Sequence, residues 1–297
     1  MLTGISNKYS TIIFTSRKEP GQDYEHFSRY AQETNFPRKI QHIISDDSNY
    51  ISEGANGKVF SIPDNPNFVL KVDKKFNPAN LDSFVYNIEE INEPFGDLNV
   101  GQPIAKYGEE ILVLIRQKGK EFGLPFVRKH VLSKRDIQNN IHRYIKNLIK
   151  IAEIDQSGYD NFVREIKELQ QRGFNIDIWN SNNVLIDGNN INIVDILKLS
   201  SLRQKFYARM SKMAILRLFI DESPLRQMLP YLKPEQKSKI GKHINIISQK
   251  ISTAMKKEGL NERIFLNKFL ANIRDFFPRE KPRIDLIIED LIKSSKL

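Results

Sequence analysis

The sequence predicts an α+β fold with two lobes, a small lobe built on an antiparallel sheet and a larger lobe that is mostly helical. Short apolar runs separated by Gly, Pro, Asn and Asp fill residues 50–117, which is the pattern of an antiparallel meander. Beyond Gly119, apolar residues recur at three- and four-residue spacing, as in amphipathic helices. The chain has 297 residues, which is enough for one large domain or two lobes.

The composition indicates a globular chain that has no cysteine chemistry. Apolar residues make up 40% of the sequence and include 18 Phe and 10 Tyr, which excludes a wholly disordered chain. The absence of Cys excludes disulfides, thiolate metal ligands and a cysteine nucleophile, and five scattered His argue against a His-only metal site. Any chemistry must therefore come from carboxylates, Lys, Asn, hydroxyls or the backbone.

The chain is basic, with 46 Lys and Arg against 36 Asp and Glu and a net charge of +10. This charge admits nucleic acid, anionic lipid or acidic protein as partners. The sequence shows no nucleic-acid motif, and its basic residues are spread out, so we expect solvated helix faces and leave peripheral lipid contact open. No stretch approaches the length of uncharged apolar chain that crosses a bilayer, so we expect no transmembrane segment.

Residues 1–45 are predicted to be a partly ordered N-terminal extension, and residues 46–118 the small lobe. The spacing of Leu81, Phe84, Ile88 and Ile91 predicts a helix over residues 81–93. The predicted strands are Tyr50–Ser52, Lys58–Ile62, Asn67–Val72, Pro103–Tyr107 and Glu110–Arg116.

Residues 119–297 are predicted to form the large lobe. Its core should contain a hairpin of residues 183–186 and 191–194, because Asp187-Gly188-Asn189-Asn190 between them is turn chemistry. The predicted helices are Arg135–Glu153, Asn161–Gln171 and segments near residues 202–221, 235–257, 261–276 and 283–295.

Two features of the small lobe could bind phosphate. The loop Gly54-Ala55-Asn56-Gly57 has two glycines that would let the backbone approach a phosphate, and Val59 could cover a flat base. Lys71 interrupts the apolar run from Val69 to Val72 and could point to an anion. Taken singly, a plain hairpin turn and a solvent-facing lysine explain these features better.

The large lobe carries three oxygen-bearing side chains in a suggestive order. Asp177 and Asn182 lie five residues apart and lead into the predicted hairpin, whose second strand ends at Asp195. Phosphoryl transfer uses one carboxylate to position a hydroxyl, with an amide and a second carboxylate to hold Mg²⁺. Each residue singly has a structural reading as a loop, turn or strand-end residue, and the combination is what favours a site.

The order of these features resembles the protein-kinase family over residues 50–200. The resemblance implies a two-lobed protein-kinase-like fold that binds ATP and Mg²⁺ and transfers the γ-phosphoryl group to a Ser/Thr hydroxyl. It implies that Lys71 holds the phosphates, that Asp177 is the catalytic-loop Asp, and that Asn182 and Asp195 bind the metal. Residues 112–119 would be the last small-lobe strand and the hinge, and Glu89 or Glu90 of the predicted helix would pair with Lys71.

Several departures narrow this resemblance. Asn175-Ile176 replaces the His-Arg of the usual catalytic loop, and Ile196-Leu197 follows Asp195 in place of Phe-Gly. In these respects the chain is similar to secreted bacterial effector kinases of the OspG/NleH type. That likeness implies export from the bacterial cytoplasm into a host cell, a host protein substrate, and in some members activation by ubiquitin or a ubiquitin-conjugating enzyme. A pseudokinase scaffold and a small-molecule kinase are the alternatives.

Overall fold

The computed structural model of the protein describes residues 22–53, 57–76, 89–91, 98, 100–108, 110–119, 134–176, 183–194, 196–198, 212–220, 225, 227–260 and 282–294. Within these residues the chain forms an N-terminal lobe built on an antiparallel sheet and a C-terminal lobe that is mostly helical. The α+β, two-lobed fold class predicted from the sequence is confirmed.

The small lobe is built on a sheet to which the described chain contributes six strands. These are β1 (Tyr50–Glu53), β2 (Gly57–Ser61), β3 (Phe68–Asp73), β4 (Glu89–Glu90), β5 (Pro103–Tyr107) and β6 (Ile111–Ile115). Their spatial order is β1-β2-β3-β6-β5-β4, and every neighbouring pair is antiparallel. The five predicted strands are present, and β4 is an additional edge strand.

One face of this sheet is apolar and buried. Successive side chains of a strand point to opposite faces, so the alternation of apolar residues along β2, β3 and β6 decides which face is covered. On the covered face, the sheet contributes a continuous cluster to the small-lobe core. Its strand residues include Phe60, Phe68, Leu70, Val72, Ala105, Tyr107, Ile111 and Val113.

Two N-terminal helices, α1 (Gln22–Thr34) and α2 (Phe36–Ser45), cover this apolar face. Phe27 of α1 is fully buried, and its ring packs edge-on against Phe36 and Phe68 at centroid distances of 5.1 and 5.3 Å. Asn35 adopts a left-handed conformation between the helices, with φ of 49°. Residues 22–45 of the predicted extension therefore belong to the core of the small lobe.

The helix predicted over residues 81–93 is wrong at its C-terminal end. Glu89 and Glu90 form β4 and pair with β5, and the N–H of Ile91 donates to the carbonyl of Ile104 at 3.0 Å. Sheet pairing thus overrides the helical spacing of the apolar residues here, since tertiary hydrogen bonds outweigh a weak local preference. Residues 81–88 lie outside the described residues.

The large lobe packs its helices around one apolar core. The described helices are α3 (Lys134–Glu153), α4 (Gln156–Gln171), α5 (Lys212–Phe219), α6 (Pro234–Lys257) and α7 (Pro282–Ser294). Tyr159 and Phe162 of α4 pack against the ring of Phe219, and the ammonium group of Lys250 donates to the Ala152 carbonyl at the end of α3. An ammonium group at this position donates to a carbonyl oxygen that is free at the C-terminus of α3, and its positive charge interacts favourably with the helix dipole.

These five helices fall on five of the six predicted for this lobe, with α4 starting five residues earlier than expected. Of the predicted helix near residues 202–221, the described part is α5, and residues 261–276 lie outside the described chain. No helix in the described part of the chain is long and apolar enough to cross a membrane.

Two small antiparallel pairs lie between α4 and α5. The predicted hairpin is confirmed as β8 (Val184–Asp187) and β9 (Asn190–Ile193), with Gly188 at φ of 57° in its turn. The second pair joins β7 (Phe174–Ile176) to β10 (Ile196–Lys198), a pairing that the sequence did not predict.

Candidate functional site

Lys71 lies on the sheet face that α1 and α2 leave uncovered. It pairs with Val59 of β2 on one side and with Leu112 of β6 on the other, so these three residues form a row across the sheet. Its neighbours along β3, Leu70 and Val72, belong to the core on the opposite face. Lys71 is half-buried. In this register its cross-strand neighbours on the uncovered face, Val59 and Leu112, are both apolar.

Gly57 has a structural reason to be glycine. It begins β2 opposite Asp73, and a Cβ atom at this position would lie 2.5 Å from the backbone carbonyl oxygen of Val72. Such a contact would force the two strands apart, so the tight β2–β3 pairing itself requires a residue without a side chain. Gly54, Ala55 and Asn56, the rest of the predicted phosphate loop, lie outside the described residues.

Glu89 and Glu90 do not occupy the helix from which they were expected to reach Lys71. Glu89 pairs with Lys106 in the β4–β5 register, and its carboxylate lies 3.2 Å from the Lys106 ammonium nitrogen. Three strand spacings of about 4.8 Å separate β4 from β3 in the sheet. Glu89 therefore serves as the ion-pair partner of Lys106, and Glu90 is an exposed residue of the same edge strand.

The β7–β10 pair brings together the chain segments that carry two of the predicted site residues. Ile176 of β7 pairs directly with Ile196 of β10. Asp177 follows Ile176 in the sequence, and Asp195 precedes Ile196. The two aspartates lie outside the described residues, and the pairing is that of their sequence neighbours Ile176 and Ile196.

A backbone hydrogen bond at the open end of the β8–β9 hairpin involves Asn183, the residue that follows Asn182. The backbone N–H of Val194 donates to the carbonyl oxygen of Asn183 at 2.9 Å. Asn182 precedes Asn183 in the sequence and lies outside the described residues, whereas Val194 directly precedes Asp195. Two backbone pairings thus join described sequence neighbours of Asp177, Asn182 and Asp195: Ile176 with Ile196, and Asn183 with Val194.

The predicted hinge leads from β6 into the large lobe. After β6 ends at Ile115, the N–H of Arg116 donates to the carbonyl of Asn67 at 2.8 Å, which ties the segment to the start of β3. The carbonyl oxygen of Lys118 accepts a hydrogen bond from the side-chain amide of Asn192 at 2.7 Å. The hinge segment, residues 116–119, is thus held by both lobes.

Asn192 is a residue of the site region that the sequence reasoning missed. It is 4% exposed and lies on β9 between two isoleucines of the large-lobe core, Ile191 and Ile193. A polar residue within an apolar run was the available signal, because a buried amide needs hydrogen-bond partners.

A polar cavity of about 860 Å³ lies behind the hinge, on the side of the sheet that faces α1. Its walls come from α1, the hinge segment and the β8–β9 hairpin. They include Asp23, His26, Arg116, Lys118, Asp187 and Asn192. This cavity is separate from the open sheet face of Lys71, since its wall includes Phe68 and Ile115 of the covered face.

The described residues contain no group of three or more His, Asp or Glu side chains that could hold a metal ion. The predicted metal ligands, Asn182 and Asp195, are outside those residues. They offer an amide oxygen and a carboxylate, which are the ligand types that Mg²⁺ prefers.

Several solved protein chains show distant similarity to this one. No protein-family model and no curated protein matches the chain. The pseudokinase domain of BIR2, an immune regulator of the RLK/Pelle family, matches at 13% identity and a TM-score of 0.32, over 75% of this chain and 86% of that one. ADP-bound aminoglycoside phosphotransferase APH(2'')-Ib matches at 11% identity and a TM-score of 0.25, over 92% of this chain and 97% of that one. Neither similarity transfers a function, so the function is argued from the site.

Proposed function

We propose that the protein is an ATP-dependent phosphotransferase whose reaction centre lies between Lys71 and the segments that bear Asp177, Asn182 and Asp195. One observation supports the proposal: the β7–β10 pair and the Val194–Asn183 hydrogen bond join residues that directly precede or follow Asp177, Asn182 and Asp195 in the sequence. Lys71 stands on the one sheet face that the N-terminal helices leave uncovered. This is the residue set that positions and neutralises a triphosphate.

The roles of the residues follow from their chemistry. Lys71 would hold the phosphates from the small lobe, and Asp177 would orient the attacking hydroxyl and accept its proton. Asn182 and Asp195 would hold Mg²⁺, which when bound supplies charge neutralisation at the phosphates. Because phosphoryl transfer requires little covalent participation by the protein, placement of these four side chains is the main catalytic contribution.

The acceptor that we propose is a Ser or Thr hydroxyl of a protein. The support is the resemblance of the site motifs to secreted effector kinases, which implies a substrate in a host cell. On that proposal the protein is exported from the bacterial cytoplasm to the host cytoplasm, and ubiquitin or a ubiquitin-conjugating enzyme is the candidate activator.

The test is transfer of labelled phosphate from ATP in the presence of Mg²⁺, with and without eukaryotic cell extract and purified ubiquitin. We expect label on protein bands, and we expect Lys71→Ala and Asp195→Ala to reduce it by about 100-fold or more. Stimulation of the label by extract or ubiquitin would support the host-protein part of the proposal.

Matched controls are available for both variants. Lys106→Ala removes a positive charge from a half-buried lysine two strands away, and Asp187→Ala removes an exposed carboxylate at the end of β8. Both controls should keep wild-type transfer. ATP binding without transfer to any acceptor would contradict the enzymatic proposal, and no ATP binding would contradict the site itself.

The departures from the kinase motifs favour a second candidate, a nucleotide-binding scaffold that transfers nothing. Asn175-Ile176 replaces the His-Arg of the usual catalytic loop, and Ile196-Leu197 replaces the Phe-Gly that usually follows the metal-binding Asp. The labelling experiment separates the two candidates, because a scaffold binds ATP and leaves no label on protein or small-molecule acceptors.

A further inference from the structure

Strand β9 is joined to the small lobe by two hydrogen bonds at consecutive residues. The side-chain amide of Asn192 donates to the carbonyl oxygen of Lys118 at 2.7 Å, and the backbone N–H of Gly101 donates to the carbonyl oxygen of Ile193 at 2.7 Å. Lys118 follows β6, and Gly101 precedes β5. We call these two hydrogen bonds the interlobe clamp.

The lobes approach each other at the clamp so closely that backbone meets backbone. A Cβ atom at Gly101 would overlap the carbonyl oxygen of Val194, and one at Gly119 would lie 2.8 Å from the carbonyl oxygen of Ile186. Gly119 also has φ of 120°, which other residues rarely adopt. Glycine at both positions lets small-lobe backbone pack directly on the hairpin, so the separation of the lobes here has little freedom.

Packing alone does not require an amide at position 192. The flanking residues Ile191 and Ile193 point into the large-lobe core, and alternation along β9 turns the side chain of Asn192 away from that core. Burial of an amide is unfavourable unless it is hydrogen-bonded, and the Lys118 carbonyl meets that need. A leucine, which has the same branching and number of side-chain heavy atoms, would bury apolar surface instead, so the amide serves to fix position.

The clamp lies on a short path between the two halves of the proposed reaction centre. On the small-lobe side, Lys118 lies three residues after the end of β6, in which Leu112 pairs directly with Lys71. On the large-lobe side, Asn192 lies three residues before Asp195 and one before Ile193, whose carbonyl accepts the second hydrogen bond. The clamp therefore couples the backbone position of the phosphate-binding lysine to that of the metal-binding segment.

We propose that Asn192 is a positioning residue that sets the distance between Lys71 and Val194, the residue that precedes Asp195, so that one Mg·ATP can engage both Lys71 and Asp195. This inference rests on the proposed function. The inference predicts that loss of the clamp changes the affinity for ATP only when Mg²⁺ is present. ATP without metal binds to the small lobe alone, whereas the gain in affinity from Mg²⁺ needs both lobes at the correct separation.

The test measures the dissociation constant of ATP by calorimetry, once with Mg²⁺ and once with EDTA, for wild type, Asn192→Ala and Asn190→Ala. Asn190 lies on the same side of β9 two residues away and is exposed, which makes it the matched control. We expect Asn192→Ala to reduce the Mg²⁺-dependent gain in affinity by about three- to tenfold, the range that loss of one buried hydrogen bond produces. The EDTA value should stay within about twofold of wild type, and Asn190→Ala should match wild type in both media.

Two further variants separate positioning from simple loss of structure. Asn192→Leu keeps the branched shape of the side chain and removes the donor, and Gly101→Ala opens the clamp from the small-lobe side. Both should reproduce the signature of Asn192→Ala, and they carry the test if that variant does not fold. An unchanged gain from Mg²⁺, or an equal loss of affinity in both media, would overturn the inference. If wild type shows no gain from Mg²⁺, the proposed function itself fails.

Discussion

The two faces of the six-stranded sheet differ in what their residues do, although both are built from the same strands. One face carries Leu70 and Val72 into a core that α1 and α2 close, and the other carries Lys71 between Val59 and Leu112. Because alternate residues of β3 point to opposite faces, core packing and the proposed phosphate binding fall on adjacent positions of one strand. Substitutions of Leu70 and of Lys71 should therefore have separable effects, the first on stability and the second on ATP binding.

Leu70→Ala gives the largest expected effect on stability. Leu70 is fully buried on the covered face, so its truncation should lower the free energy of unfolding by about 2–5 kcal/mol through lost burial and a residual cavity. Urea denaturation of Leu70→Ala and Lys71→Ala measures the contrast, with Lys71→Ala expected within about 1 kcal/mol of wild type. Equal destabilisation by the two variants would contradict the assignment of stability to the covered face alone.

Gly57→Ala tests whether the glycine at the start of β2 serves the sheet. The added Cβ would lie 2.5 Å from the Val72 carbonyl oxygen, so the pairing must open. We expect a loss of about 1–3 kcal/mol in the free energy of unfolding, measured by the same denaturation. Wild-type stability together with weaker ATP binding would instead assign Gly57 to phosphate binding alone.

Glu165 of α4 is a charged residue that lies away from the small-lobe sheet, and its protonation makes the stability of the protein depend on pH. Burial raises its pKa to about 8, the nearby Arg164 opposing the shift, so the folded state holds the proton more tightly than the unfolded state. The stabilisation is therefore complete below pH about 4 and is lost as the pH rises toward about 8.

Glu165→Gln should remove this pH dependence. We expect its free energy of unfolding at pH 8 to exceed that of wild type by at least about 1 kcal/mol, with the difference shrinking toward pH 5. Thermal or urea unfolding across this pH range measures it. A wild-type stability that rises between pH 5 and pH 8 more steeply than that of Glu165→Gln would contradict the assignment.

Glu89→Gln has the smallest expected effect. Glu89 is exposed at the sheet edge and contacts Lys106, so its loss should change the free energy of unfolding by less than about 1 kcal/mol. The dissociation constant of ATP should also stay unchanged. A large loss of phosphoryl transfer in this variant would mean that Glu89 serves Lys71 after all.

Much of the large-lobe hairpin could be predicted because its signals are local. Asp187-Gly188-Asn189-Asn190 favours a tight turn, and the apolar runs on each side have strand length. The contrast is β4, where Ile88 and Ile91 fit a helical spacing while β5 supplies a strand partner. Local spacing cannot reveal a partner that lies a dozen or more residues away in the chain.

The N-terminal helices show the same limit for the small lobe. Their apolar residues are split between two short segments around Asn35, and neither segment would form a stable helix alone. Packing on the covered sheet face stabilises them, with Phe27 against Phe68 as the central contact. A polar-looking stretch thus became part of the core through contacts that only the sheet register provides.

The sequence by itself determined the α+β fold class, the hairpin and the residue types of the proposed site, because periodicity, turn chemistry and side-chain functional groups are local properties. The tertiary structure decided which sheet face is covered, which cation Glu89 contacts and how Asn192 joins β9 to the hinge. These depend on strand register and on lobe packing, where residues far apart in the chain meet. For this reason the sequence alone identified Lys71, as a charged residue within an apolar strand. The role proposed for Asn192 depends on its contact with Lys118, which only the structure shows.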